Sequence, residues 1–304
     1  MAVFLSVVKT VLPVILALVI GMMMREKTFL SRDGIDALKK VVINITLPAV
    51  LLNALATAQY DKNAIVIPAV IFAACCLALL IGVFLSKIMK QGRLPAFLSS
   101  GFEAGMLGYA LFALLFPGQS ESNFAIPDLG QTIFVFTLYK ALLSGKDSKK
   151  AVMKDILVSP IIWAIAAGVL LGATGLYSAM IPGGYNEILD SLTSFISAPT
   201  GMIILLVVGY DLDLRQIKWK DTAAFVVLRL VPMAITLAAV LALNKYVLGG
   251  VMHTGAIILM FLLPPPYVLP VFSTDESQRA RLSSAISALT VLTMVLFAVM
   301  AALV

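Results

Sequence analysis

A carboxylate and three glycines lie together within one long apolar run, in the decapeptide GFEAGMLGYA at 101–110. Glu103 stands about ten residues from the basic flank at Arg93, near the middle of the run 94–116. A charge at the centre of a membrane span costs about 2.5–3.5 kcal/mol, so it has to be paired, protonated or exposed to a water-filled cavity. Gly105 and Gly108 allow the backbone to open beside it, and Met106 lies between them. The pattern predicts a site at an interrupted helix.

Several uses of Glu103 are consistent with this pattern. As an acid it could carry a coupling proton, and as a fixed anion it could bind Na⁺ or a cationic group of a substrate. It could also form a structural ion pair with Arg229, or cap the interrupted helix.

A second unusual stretch, LLPPPYVLP at 262–270, holds three consecutive prolines, including Pro264 and Pro265. Consecutive prolines lack amide donors and cannot continue an ordinary α-helix. The preceding carbonyls are then free to coordinate a cation, and the next half-helix begins with an end that favours an anion. Tyr267 either closes such a site or is a packing tyrosine.

Other polar residues stand in apolar surroundings. Arg229 suits bidentate carboxylate recognition, and we favour it as a partner of Glu103 or Asp128 over a direct substrate ligand. Asp128 and Gln131, in DLGQ (128–131), line the site or its outer vestibule, although Asp128 is also a favourable acid at a helix N-terminus.

Asn44 and Thr46 are further candidates for substrate contact, in the stretch NIT at 44–46. Hydrogen bonds between helices explain polar residues in apolar spans at least as well.

The elements that position these residues are membrane spans. Of 304 residues, 61% are hydrophobic and 12% charged, and the mean hydropathy is +1.03. Apolar runs of about 20 residues recur along the chain, which is the length that crosses a bilayer. Ten spans are predicted, at 4–24, 36–57, 64–86, 94–116, 123–143, 155–176, 187–210, 222–243, 254–273 and 282–303.

The basic residues support this count. They concentrate in or beside the odd-numbered loops, whereas the even-numbered loops hold only Lys62 and Lys245. The positive-inside rule then places the odd loops in the cytoplasm and both termini outside. We expect a multi-pass protein of the cell membrane.

The sequence does not support assignment to a soluble protein or to an enzyme. There is one histidine, His253, and the two cysteines, Cys75 and Cys76, are adjacent inside an apolar run. No metal-ligand spacing, phosphate-binding loop or nucleophile with a base is present. We therefore expect no enzyme, no cofactor, no metal site and no nucleic-acid partner.

The chain divides into two halves, 1–145 and 146–304, with five predicted spans each. Pro48 and Pro199 lie in mid-helix in the second span of each half, and the glycine and proline stretches should break the fourth. An odd number of spans inverts the second half relative to the first. Inverted repeats with broken helices at corresponding positions are typical of secondary transporters, although such residues also serve close helix packing.

The ordered set NITLPAVLL, GMLG, DLGQ, LRLVP and LPPPY resembles the auxin efflux carrier family. The resemblance implies the fold of bile acid:sodium symporters, an all-α protein of ten transmembrane helices with broken, crossing helices 4 and 9. Helices 1, 2, 6 and 7 then form a scaffold, through which members are often homodimers. Helices 3–5 and 8–10 form a mobile, elevator-like transport domain. Three positions depart from the family pattern, which has asparagine at Glu103, proline at Ala110 and asparagine at Gln131.

These observations predict a secondary carrier of a small organic acid, with substrate at the crossing of spans 4 and 9 and Glu103 as the proton-coupling group. The alternative within transport is a Na⁺-coupled symporter of the bile acid type. A membrane sensor or a channel belongs to a different class, and the chain supplies no signalling domain.

Overall fold

The protein is described by a computed structural model that covers residues 2–60, 63–144, 157–212, 219–273 and 275–303. All regular structure in these ranges is helical, as expected. The predicted boundary between the two halves, at 145–146, lies outside them. So do Lys62 and most basic residues of the fifth and seventh loops.

The described residues form fourteen α-helices: α1 Ala2–Glu26, α2 Arg32–Val41, α3 Leu47–Ala56, α4 Asn63–Ile88, α5 Tyr109–Leu115, α6 Ser122–Phe134, α7 Lys140–Ser144, α8 Pro160–Ala173, α9 Leu176–Met180, α10 Tyr185–Ser197, α11 Thr200–Asp211, α12 Trp219–Tyr246, α13 Thr254–Leu262 and α14 Glu276–Leu303. Wider π-helical turns connect α2 to α3 (Val42–Thr46) and α6 to α7 (Val135–Tyr139).

Within the described ranges, five helical stretches are long and apolar enough to cross a membrane. They are Val8–Glu26, Ala64–Ile88, Tyr185–Asp211, Thr222–Tyr246 and Glu276–Leu303. The pair Pro160–Ala173 and Leu176–Gly183, bent by 69°, makes a sixth if it is counted as one span. These findings agree with a multi-pass membrane protein. The predicted spans 36–57 and 123–143 coincide with helices that contain a π-helical turn, and the predicted spans 94–116 and 254–273 coincide with helices broken by irregular segments.

The helices associate in two neighbourhoods. In one, α1 packs against α11, and α3 packs against α8 and α10. In the other, α4 packs against α6 and α12, and α12 packs against α14. Close approach depends on small residues, as is common between membrane helices. A Cβ atom on Gly21 of α1 would lie 2.8 Å from the backbone nitrogen of Tyr210, so only glycine fits there.

Candidate functional site

The stretch around Glu103 is not helical. A 3₁₀ turn, Leu94–Ser99, ends in extended backbone at Ser100, and Gly101 follows with φ +73°. Helical structure resumes only at the π-helical turn Ala104–Gly108, which leads into α5. Glycine is required at 101 because a side chain is strained at this φ, and a Cβ would lie 2.9 Å from Cγ of Pro266.

The proline stretch forms the second break. Helix α13 ends at Leu262, and the chain stays irregular until the 3₁₀ turn Leu269–Phe272. Pro264, Pro265 and Pro266 are buried within the break. The prediction that both stretches interrupt their helices is confirmed, and the physical reason is the expected one, because glycine permits and proline enforces departure from the helix.

The two breaks cross at Glu103, which bonds the second break through both its backbone and its side chain. Its backbone N–H donates to the carbonyl of Pro264 at 2.9 Å. Its carboxylate accepts from the N–H of Tyr267, with 2.6 Å between N and Oε2. The other carboxylate oxygen, Oε1, accepts from the N–H of Met106 at 3.2 Å. Glu103 therefore caps its own half-helix and satisfies an amide of the other break, at positive helix ends that favour an anion.

Arg229 of α12 contacts both of these breaks. Its guanidinium donates to the carbonyls of Leu98 and Gly101, at 3.1 and 2.7 Å, and to the carbonyl of Leu263 at 2.7 Å. Among the described residues no ion pair joins Arg229 to Glu103 or Asp128, and the guanidinium binds carbonyl groups instead. The reason is that interrupted helices leave carbonyls without donors, and a planar guanidinium can serve several of them at once.

Asp128 and Gln131 of α6 form a buried polar cluster beside the first break. The Gln131 side chain donates to the carbonyl of Phe102 at 3.1 Å and to Asp128 at 3.2 Å. The hydroxyl of Tyr109 donates to the second Asp128 oxygen at 3.0 Å. The Asp128 carboxylate is thus held by neutral donors. Through the carbonyl of Phe102, the cluster contacts the residue that precedes Glu103.

A cavity of about 570 Å³ opens beside the crossing. One wall consists of Glu103, Met106, Tyr267 and one face of α14, and the other consists of residues of α2 and α11. Apolar residues such as Val207 and Ile286 provide most of the surface, with polar groups at a few points. This composition is usual for small-molecule sites.

A second cavity, of about 590 Å³, lies one helical turn further along α5 and α11. Its lining includes Tyr109, Ala110, Leu206 and, at its far end, Glu121. Burial raises the pKa of Glu121, which precedes α6. Met106 and Val207 line the first cavity and Tyr109 and Leu206 line the second, so residues close together in the chain line both cavities.

The remaining predicted residues divide into two groups. Gly105 and Gly108 make close contacts: a Cβ on Gly105 would lie 3.2 Å from Leu47, and one on Gly108 would lie 2.6 Å from the Phe124 ring. Asn44 and Thr46 are not placed in the wall of the first cavity. Asn44 is exposed and donates to the carbonyl of Lys40 one turn earlier. Thr46 is buried, and its hydroxyl has no partner among the described residues.

Sequence reasoning missed three charged residues in the wall of the first cavity: Arg32, Lys39 and Asp211. The first two were used only as evidence of membrane orientation. The sequence did contain a signal for these residues. The two cations lie at the start of the second predicted span of the first half, and Asp211 follows the second predicted span of the second half. Tyr109 was also missed, although it follows Glu103 by less than two turns.

Comparison with known proteins agrees with this architecture. A family model described as membrane transport protein matches residues 6–144. Over 230 residues the chain is 25% identical to an uncharacterized transporter of Methanothermobacter thermautotrophicus, covering 71% of each chain. Over 301 residues it is 21% identical to the uncharacterized transporter YfdV of Escherichia coli strain K12, covering 92% of each chain. These similarities support the expectation that the chain is not an enzyme.

Proposed function

We propose that this chain is a secondary active transporter of a small organic acid, in the auxin efflux carrier family that its motifs resemble. The match of residues 6–144 to a family model of membrane transport proteins and the similarity to uncharacterized transporters support this proposal. The observation that carries the proposal is the position of Glu103. It lies at the crossing of the two breaks and also in the wall of the first cavity.

The proposed architecture is ten membrane spans in two inverted repeats, 1–145 and 146–304, with both termini outside. The five long apolar stretches supply spans 1, 3, 7, 8 and 10. The bent pair and the interrupted helices supply the others. The two packing neighbourhoods support a scaffold of spans 1, 2, 6 and 7 and a transport domain of spans 3–5 and 8–10. The resemblance to the family adds the proposal of a homodimer formed through the scaffold.

The proposed mechanism is alternating access by sliding of the transport domain against the scaffold. Residues of both line the first cavity, and its wall includes Arg32 and Asp211, at the end that the positive-inside pattern assigns to the cytoplasm. The second cavity lies toward Glu121, at the opposite end. Because neighbouring residues of α11 line both cavities, a displacement of α5 along α11 would transfer access from one cavity to the other.

Glu103 is the proposed proton-coupling group. In the charged form both of its oxygens accept from backbone amides of different half-helices, and hydrogen bonds to a charged acceptor are the stronger kind. Protonation would remove the charge and weaken both bonds. A proton on Glu103 would therefore change the relative stability of the two access states, which is what coupling requires.

A Na⁺-coupled symporter is the second candidate. One observation favours it: the side-chain oxygen of Gln131 is buried without a hydrogen-bond partner among the described residues, beside the carboxylate of Asp128. Carboxylate and amide oxygens together are suitable ligands for a small hard cation.

Transport in proteoliposomes tests both candidates. Wild type, Glu103→Gln and the control Glu276→Gln, which alters an exposed carboxylate at the start of α14, are assayed with small mono- and dicarboxylates and amino acids. Each substrate is tested with an imposed pH gradient and then with a Na⁺ gradient. Proton coupling predicts uptake driven by the pH gradient, and a Glu103→Gln protein that exchanges substrate but ignores that gradient.

The other outcomes are distinct. Uptake that needs Na⁺ and is insensitive to Glu103→Gln supports the second candidate. A Glu103→Gln protein that responds to the pH gradient as wild type does shows that this carboxylate is only a structural cap. Binding of a substrate without flux would identify a sensor, and flux far above carrier rates would identify a channel.

A further inference from the structure

Two cations and one carboxylate meet in the wall of the first cavity, on the side opposite Glu103. Arg32 and Lys39 belong to α2, and Asp211 ends α11. The Asp211 oxygens are shared between the two cations: Oδ1 lies 2.6 Å from Nη1 of Arg32, and Oδ2 lies 2.7 Å from Nζ of Lys39. One carboxylate group is thus held from both sides.

The spacing of the two cations explains this arrangement. Arg32 and Lys39 are seven residues apart, which is two turns of an α-helix and therefore the same face. Asp36 lies between them and contacts both, at 3.6 and 3.4 Å. Asp211 comes from a different helix, so its pairing depends on how α11 packs against α2.

The wall that contains Glu103 carries hydroxyl groups and no cation. Ser283, Ser287 and Thr290 line the cavity from one face of α14, and the Thr290 hydroxyl lies 3.2 Å from that of Tyr267. Met106 and Ile286 add apolar surface. A ligand in this space therefore finds two cations on one side, and hydroxyl and apolar groups together with the Glu103 carboxyl group on the other.

We propose that Arg32 and Lys39 form the carboxylate-recognition element of the transport site, and that Asp211 occupies this element until a substrate carboxylate displaces it. The inference deepens the proposed function, on which it rests, and it defines the substrate class as a small molecule with at least one free carboxylate. A substrate carboxylate can reproduce both contacts of Asp211, because its two oxygens have the same separation.

Solvent exposure makes this exchange feasible. The side chains of Lys39 and Asp211 are 23% and 31% exposed and that of Arg32 is 61% exposed, so these ion pairs are individually weak. An incoming carboxylate replaces a contact of similar strength, while Asp211 becomes hydrated. The exchange is therefore close to balanced, and binding should weaken as ionic strength rises.

Ligand binding to purified protein in detergent tests the inference without requiring transport. The probes are propionate, malonate and succinate, each compared with its uncharged amide, and binding is read from ligand-dependent thermal stabilisation at low ionic strength. The wild type should be stabilised by a carboxylate and not by the matching amide. Lys39→Gln and Arg32→Gln should each weaken carboxylate binding about fivefold.

Asp211→Asn should act in the opposite direction and tighten carboxylate binding severalfold, because the competing anion is gone. Damage to the fold cannot imitate a gain in affinity. Lys40→Gln and Asp33→Asn are matched controls on the same helix, exposed and outside the cavity lining, and both should bind as wild type does.

Two results would overturn the inference: equal stabilisation by acid and amide, or carboxylate binding that is unaltered in Lys39→Gln and Arg32→Gln. Uptake of the same probes into proteoliposomes separates it from the proposed function. Binding that depends on Lys39 without any uptake removes the transport function and leaves the recognition element. Uptake that is unaltered in Lys39→Gln and Arg32→Gln supports the transport function and removes the recognition element.

Discussion

The carboxylate of Glu103 accepts a hydrogen bond from the backbone N–H of Tyr267, 164 residues further along the chain, at 2.6 Å. The acceptor lies in the first interrupted segment and the donor lies in the second. The bond therefore couples the conformations of the two breaks, and it does so through a group that can gain or lose a proton.

Replacing Glu103 should loosen the second break. Glu103→Ala removes the acceptors of two backbone amides, those of Met106 and Tyr267, and we expect a loss of about 1–3 kcal/mol in stability. Hydrogen–deuterium exchange followed by mass spectrometry should show faster exchange at the amides of 263, 267 and 268, since the prolines at 264–266 have no amide hydrogen. Glu276→Ala is the control for loss of an exposed carboxylate. Unchanged exchange in 263–268 would show that other contacts hold the crossing.

Gly101→Ala should lower the stability of the protein by more than the strain of a positive φ alone. Alanine in the left-handed region costs about 1–2 kcal/mol, and at this position the Cβ would also lie 2.9 Å from Pro266. Gly118 is the matched control, since its φ is +83° and a Cβ added there would meet no described atom within 4 Å. Thermal unfolding of both alanine variants in detergent measures the difference. If both alanine variants lose the same stability, Pro266 can move away from the added Cβ without a cost in free energy.

Arg229→Met should be strongly destabilising. The substitution keeps an unbranched side chain but leaves the carbonyls of Leu98, Gly101 and Leu263 without their donor. Unpaired buried carbonyls cost about 1–3 kcal/mol each, so we expect a loss of about 3 kcal/mol or more in the free energy of unfolding. Arg229→Lys keeps the charge but loses the planar set of guanidinium donors. Its free energy of unfolding should lie between those of wild type and Arg229→Met.

Arg281→Met is the control for Arg229→Met. Arg281 is exposed, and its guanidinium lies over the ring of Phe225 at 4.7 Å. Exposed contacts of this kind contribute about 0.5–1 kcal/mol. If the two substitutions lower the unfolding temperature equally, Arg229 does not hold the breaks together.

Glu121→Gln should stabilise the protein increasingly as pH rises. Burial raises the pKa of Glu121 in the folded state, so the folded protein binds this proton more tightly than the unfolded chain. The resulting stability is fully present below the ordinary carboxyl pKa of about 4.3 and is lost as pH rises through the raised value. Glutamine stays neutral and avoids that loss.

The measurement for Glu121 is the unfolding temperature of wild type and Glu121→Gln from pH 4 to pH 8. The difference should be smallest at pH 4 and grow toward pH 8. Glu187→Gln, at an exposed position in α10, controls for the loss of one negative charge. A difference that is constant with pH would contradict the prediction.

The sequence by itself determined the features that depend on local chemistry. Apolar length predicts the membrane spans, and Gly101 and the prolines at 264–266 determine where two helices stop, because backbone freedom and missing amide donors act within a few residues. The resemblance to the family could likewise be read from short motifs in order.

Only the tertiary structure decided the partners of the buried charges. Arg229 binds carbonyls up to 131 residues away instead of a carboxylate, and Asp211 meets Arg32 across 179 residues. Spacing along one helix predicts which side chains share a face but not which face of another helix lies opposite. The unpaired carbonyls of a broken helix and the packing of α11 against α2 exist only in the folded chain, and they determine where each charge is neutralised.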